Sequence, residues 1–314
     1  MAIFAYFTSA ASQRGISLIE LMLAISLSML LSLGVLSFHI QQKTSYLFQQ
    51  GLSRILQNSQ IAAYTLKNAL QSAGSLGCLS LVSSTPMRVL TATPLPIEAD
   101  MQLLEQYNRL LVQKAQAVAH KLLVPMSHIQ APITVERGKD ALTAGDMVVV
   151  SDCQQADMFM VNDVSVQRDT RTLYYKDAAL SKAYDEQAEL SKWTAKEFYI
   201  ADSHYKNLQD QTVKGLFVHD LLTGHREEIV QGVEAWQLRY GLDRNNDGLI
   251  EEHRLANEVR DWLQVKSVAI SLLLNSIDNV LPAPKDYEFA GKHYSATDRL
   301  LRKQVDIYIA LRNR

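Results

Sequence analysis

Residues 14–38 read RGISLIELMLAISLSMLLSLGVLSF, and the architecture turns on how this stretch is understood. Between Ile16 and Phe38 the only charged side chain is Glu20. Wound as an α-helix, the run extends about 35 Å at 1.5 Å per residue, enough to cross a hydrocarbon core about 30 Å thick. A cleavable secretory signal has a shorter apolar stretch with a small-residue cut site behind it. Here the run is too long, HIQQKTSY comes after it with no A-x-A pattern, and the small residue, Gly15, stands in front. An acid at a helix centre in lipid costs about 3 kcal/mol. Near the helix start the cost is smaller, and the helix dipole favours a negative charge. A cut after Gly15 would free an amine on Ile16, about one turn from Glu20, and the amine of a neighbouring helix would serve the same end. A carboxylate kept at that depth implies a partner of opposite charge.

The helical period continues past the apolar run. Phe48, Leu52, Ile55, Ala62, Leu66 and Ala69 recur at three, four or seven residues, the face of an amphipathic helix. Gly74 and Gly77 then offer a stop. One helix from Ile16 to about Ala73, about 87 Å long, is expected, with Gly34 and Gly51 as points where it bends or melts. Pro94 and Pro96 punctuate the next stretch, and Ile97 to Leu123 reads as a second helix. Beyond it strand signals dominate. Met147 to Val150 and Met158 to Val161 are short apolar runs flanking SDCQQAD. Trp236, Leu238, Tyr240 and Leu242 alternate, as do Val268, Ile270, Leu272 and Leu274, then Val305, Ile307, Ile309 and Leu311. The expectation is an α+β fold: an antiparallel sheet with its apolar face laid on the long helix. Asp163 to Lys192 carries no readable period.

Bulk properties narrow the function classes. The 314 residues carry a formal net charge of -2, with 47% hydrophobic and 20% charged residues. That balance disfavours nucleic acid, which needs a clustered basic surface. Arg299, Arg302 and Lys303 read as the solvated end of an element. Two cysteines are present, Cys78 and Cys153. In an exported chain such a pair reads first as one disulfide, with two buried free thiols as the alternative. A bridge over a loop of this length is worth up to about 4 kcal/mol. No CxxC or neighbouring His points to zinc.

The strongest chemical signal is DRNNDGLIEEHR, Asp243 to Arg254. It matches the first half of an EF-hand loop, with oxygen ligands Asp243, Asn245 and Asp247 at positions one, three and five and Gly248 at six. The Leu249 carbonyl and Glu251 would come next at seven and nine. Position twelve is Arg254 rather than a bidentate Glu, leaving Glu252 as the substitute, and a strand rather than a helix precedes the loop. Calcium is the cofactor this pattern implies; a polar turn after a strand is the plainer alternative. No HExxH, G-x-S-x-G, P-loop or GxGxxG occurs, so no enzymatic reading is favoured.

Gly15-Ile16-Ser17-Leu18-Ile19-Glu20-Leu21-Met22 resembles the class III signal of type IV pilins and pseudopilins, usually G-F-[ST]-L-[IV]-E-[LM]. Ile stands for the usual Phe, and Arg14 is the only charge in the leader. AGSLGC (73–78), GDMVVVSDCQQADMF (145–159), GVEAWQLRYGLDRNNDG (232–248), WLQVKSVAISLLL (262–274) and the ending VDIYIALRNR resemble the PilW branch of minor pilins. The resemblance implies a leader at 1–15, a prepilin peptidase cut between Gly15 and Ile16 with methylation of the new amine, and Glu20 as the assembly acid. It implies a helix over 16–73, with 16–38 in the membrane or filament core, and a periplasmic domain over 74–314. It implies that Cys78 and Cys153 pair. The expected setting is the bacterial inner membrane, then the fibre at the cell surface. The expected partners are other minor pilins, the major pilin, a PilY-type tip adhesin and the inner-membrane assembly platform. A J-class pseudopilin of type II secretion has the same expected fold and processing. A membrane-anchored periplasmic ligand-binding or enzymatic protein is the alternative from another class.

Overall fold

A computed structural model describes residues 17–77, 79–80, 88–90, 109–138, 140–176 and 179–312. Helix α1 occupies Leu18–Gln71. It ends two residues before Ala73, and Gly74 adopts a φ of 73° just beyond, the left-handed turn that glycine takes at no steric cost. Gly34 and Gly51 both lie inside the helical run, and the helix melts at neither. The chain divides into two units, Met1–Gln50 and Gly51–Arg314.

In the first unit the described part of α1 is exposed along nearly its whole length, and this helix is long and apolar enough to cross a membrane. Its hydroxyls do not break that character. Ser26, Ser28 and Ser32 donate to the carbonyls of Met22, Ile25 and Ser28 at 2.8, 2.8 and 2.7 Å. Each hydroxyl is thereby satisfied within its own helix, which removes most of the cost of an apolar setting.

The second unit contains the rest of α1 and the strands. In chain order these are β1 (Ser75–Leu76), β2 (Leu79–Ser80), β3 (Arg88–Leu90), β4 (Arg109–Lys121), β5 (Ile133–Glu136) and β6 (Met147–Ser151). Next come β7 (Ala156–Met160), β8 (Asp163–Gln167), β9 (Thr170–Tyr174), β10 (Glu189–Lys206), β11 (Thr212–Asp220) and β12 (Arg226–Gln231). The series ends with β13 (Val233–Leu242), β14 (Glu252–Arg254), β15 (Val265–Asn275), β16 (Tyr287–Phe289), β17 (Lys292–Tyr294) and β18 (Arg302–Ala310). A seven-stranded sheet runs β12-β11-β10-β6-β7-β3, with β4 also paired to β10. A four-stranded sheet runs β14-β13-β15-β18, a three-stranded one β5-β9-β8, and β1-β2 and β16-β17 are hairpins. The pairing is antiparallel as expected, except that β3 runs parallel to β7.

The helix meets the sheets through one face. Gly51, Ile55, Ser59, Ala62, Leu66 and Leu70 are buried, a spacing of three and four that keeps them in one stripe. Ile55, Ala62 and Leu66 belong to the expected face. Phe48 stays exposed, and Leu70 rather than Ala69 is the fully buried residue of the last turn. The stripe packs on Trp236, Leu238, Tyr240 and Leu242 of β13, the alternate residues Val268 to Leu274 of β15, and Ile307 and Ile309 of β18. Leu110 and Val112 of β4, Phe198 of β10 and Leu216 of β11 join the same core. The helix therefore covers two sheets, not one.

The expected second helix over Ile97–Leu123 is not found where the structure can be read: Arg109–Lys121 is strand β4, and residues 97–108 lie outside the described ones. RLLVQKAQAVAHK has good helix formers, but β4 pairs with β10 from Arg109↔Tyr199 to Lys121↔Glu189. The ladder outweighs a propensity difference of a few tenths of a kcal/mol per residue. The unreadable region Asp163 to Lys192 contains β8, β9 and the start of β10. With β5 it closes a second core around Ile133, Leu173, Leu180 and Tyr184. There Asp157, fully buried in β7, accepts from Ser181 N, Ser181 Oγ and Tyr184 OH at 2.8, 2.7 and 2.9 Å through Oδ2. Burial, reinforced by the Asp157 charge, pushes the Tyr184 hydroxyl far above its usual range.

Candidate functional site

Three regions hold the residues singled out by sequence. At the N-terminal end, Gly15 and Ile16 lie outside the described residues. Glu20 sits in the first turn of α1, where Leu21 N donates to Ser17 O at 3.0 Å. It is exposed, as is the apolar surface C-terminal to it. Its carboxylate thus stands at the positive end of the helix dipole, where a negative charge is favoured.

Cys78 also lies outside the described residues. Cys153 comes after Asp152 in the turn between β6 and β7. Gly77, between β1 and β2, lies against the end of β6 that leads into this turn, since a Cβ on it would meet Ser151 Oγ at 2.8 Å. Asp152 organises the turn by accepting from Gln154 N at 3.0 Å and Gln155 N at 2.8 Å, and it pairs with Lys182. Burial pushes its carboxyl up, but the Lys182 ammonium and these two N–H donors outweigh it and hold the carboxyl below its ordinary value.

The polar loop lies directly after β13. Asp243 is buried and accepts from Asp247 N at 3.2 Å and Gly248 N at 2.9 Å. Asn245 Oδ1 accepts from Asp247 N at 3.0 Å, and Asp247 Oδ1 accepts from Leu249 N at 2.8 Å. Glu251 closes the loop by accepting from Arg244 N at 2.9 Å. Gly248 has a φ of 88°, which a side chain there would resist. One carboxylate oxygen each from Asp243, Asp247 and Glu251 lies within 4.8 Å of the others. Three hard oxygens so placed form a group able to hold a divalent cation, though calcium takes about six to eight oxygens in all. Glu252 is not part of it: it lies in β14 and is held by Arg244 and Arg254, whose hydrogen bonds, that of Arg254 first, keep its carboxyl below its usual range. The Leu249 side chain is exposed.

Sequence reasoning missed a fourth region. A cavity of about 570 Å³ opens between the β16–β17 hairpin, the β10–β11 turn and the ends of β13 and β15. In its wall Arg302, 9% exposed, bonds Glu234 Oε2 through Nε at 2.8 Å and both oxygens of Asp298 at 2.7 Å. Asn275 Nδ2 donates to the other Glu234 oxygen at 2.7 Å. The guanidinium lies 4.8 Å from the centre of the Tyr287 ring, and Tyr294 stacks on that ring at 5.4 Å and 11°. Arg302 is not the solvated end that its basic neighbours suggest; it is the buried hub of a clamp. Its partner Glu234 lies 68 residues before it in the chain, so no local motif signals that pairing.

A family model described as Type IV Pilus-assembly protein W matches residues 197–313. The matched stretch begins within β10 and takes in the polar loop, the cavity and the last strand. No curated protein matches the chain. The family match supports a type IV pilus-related family and a role in pilus assembly. The apolar helix near the N-terminus is compatible with anchoring in a membrane.

Proposed function

We propose that the chain is a minor pilin: a non-catalytic subunit that enters a type IV pilus and helps to initiate its assembly. The observation that carries this reading is the coincidence of the pilus-assembly match over 197–313 with an exposed apolar helix holding one acid, Glu20, in its first turn. In this reading prepilin peptidase cuts between Gly15 and Ile16, and the new amine is methylated. The helix holds the subunit in the inner membrane with the globular domain, residues 74–314, in the periplasm until it is drawn into the fibre. Glu20 then meets the N-terminal amine of a neighbouring helix, a pairing worth far more in an apolar core than in water. Other minor pilins, the major pilin and a PilY-type tip adhesin are the partners. Lowering the barrier to starting a fibre is the contribution, and no bond-making chemistry is asked of the globular part.

The test has two parts. Mass spectrometry of protein isolated from membranes should show a mature chain beginning at a methylated Ile16; an intact leader sinks the proposal. Glu20→Ala should insert in the membrane normally yet fail to enter sheared fibres. Deleting the gene and scoring twitching and DNA uptake against protein secretion separates a pilus subunit from a J-class pseudopilin of type II secretion.

A further inference from the structure

We propose that the cavity beside Tyr294 binds a neutral pyranose sugar. Its volume, about 570 Å³, falls within the range of small-ligand sites. The charges in its wall cancel. Glu234 and Asp298 clamp Arg302, and Lys214 lines the cavity with no ion-pair partner among the described residues. Two carboxylates and two cations leave no excess charge to draw an ion.

The aromatic wall is ordered before any ligand arrives. Tyr287 is held both by the Arg302 guanidinium, 4.8 Å from its ring centre, and by the near-parallel Tyr294 ring. Tyr294 ends this stack, is 40% exposed and lines the cavity, and it stacks on no second ring or cation among the described residues. A π-face held in place suits the C–H face of a sugar ring, which is apolar although its edges are hydroxyls.

The polar groups around it suit those edges. Asn207 is spent on the β10–β11 turn: Nδ2 donates to Gln211 Oε1 and Ile277 O, and Oδ1 accepts from the N–H groups of Gln209 and Gln211. Gln211 Nε2, the Thr212 hydroxyl and the hydroxyls of Tyr287 and Tyr294 bond no protein group among the described residues. They offer donors and acceptors in mixture, which matches hydroxyls that do both. The site is argued from the cavity alone and stands whether or not the chain enters a fibre.

Saturation-transfer NMR on the full chain tests it, in a zwitterionic detergent that carries no sugar. The probes are the methyl glycosides of glucose, galactose and mannose, with chitobiose and lactose as disaccharides. Transfer to the ring C–H protons of at least one probe is expected. Tyr294→Ala should weaken that probe about tenfold, the scale of one aromatic stack together with its hydroxyl, while the lost Tyr287 stack lowers the melting temperature by no more than about 4 °C. Thr212→Val should weaken it less. A response to chitobiose over lactose marks a cell-wall glycan, and the reverse marks a glycan from another surface. No transfer from any probe, equal transfer in Tyr294→Ala, or preference for anionic sialyllactose or AMP over every neutral sugar overturns the proposal.

Discussion

Asp243 shows how one side chain fixes a loop. Its buried carboxylate takes two backbone N–H groups from the turn it starts, and Asp243→Ala leaves both donors without that partner. The expected cost is about 2 kcal/mol, read as a lower urea midpoint at unchanged slope. Occupation of the loop by calcium predicts a rise in melting temperature at millimolar calcium. Chelator should reverse the rise and Asp247→Asn should remove it. No shift in the parent chain ends the calcium reading and leaves the Asp243 prediction standing. Asp298 carries a pH prediction. Its hydrogen bonds to Arg302 hold its carboxyl below the ordinary value, so between the folded and unfolded values the unfolded chain binds more protons. The contribution is whole above about pH 4 and fades as pH falls through the folded value. Asp298→Asn should flatten the acid limb of melting temperature against pH. At this scale the polar loop was legible, because D-x-N-x-D-G places its groups within six residues. The Arg302 clamp was not, because Glu234 lies 68 residues before it and nothing local marks the pairing.

Elements are held by close fits that periodicity only half reveals. A Cβ on Gly51 would meet Ser276 Cβ at 3.0 Å and Val280 Cγ2 at 3.1 Å, so this glycine lets the 276–280 turn lie against α1. Gly51→Leu gains up to about 1 kcal/mol of helix propensity and incurs about 3 kcal/mol of overpacking at the upper end of such costs. Net destabilisation in a urea melt is expected. Leu66, fully buried between helix and sheet, should cost about 3 kcal/mol on truncation to Ala. The alternation in β13, β15 and β18 was readable because one face of each is core and the other is not. Strand β6 was readable as a run: Val148 and Val150 enter one core while Met147 and Val149 enter another. Strand β4 was not readable, since its Ala, Gln, Lys and Leu favour a helix and its strand state is imposed by β10, 68 or more residues further on.

At the scale of the molecule, the helix was legible from composition and period alone, while the division of the strands into separate sheets was not. That division depends on which edges meet, and alternation within a strand does not encode it. The cysteines belong to this scale because their bridge would tie the segment after α1 to the β6–β7 turn. Cys153→Ser should expose one thiol where the parent, denatured without reductant, shows none. It should lower stability by up to about 4 kcal/mol. Two reactive thiols in the parent would rule the bridge out.

The serines of α1 have a mechanical consequence. Because Ser26, Ser28 and Ser32 spend their hydroxyls on carbonyls of their own helix, they make no directional demand on whatever surrounds them. Such a rod can turn about its axis, slide, or trade one greasy environment for another without breaking a bond at these positions. At these three positions neither lipid nor a neighbouring helix would have to supply a hydrogen-bond partner, so the serines set no preferred rotation of the rod against its surroundings.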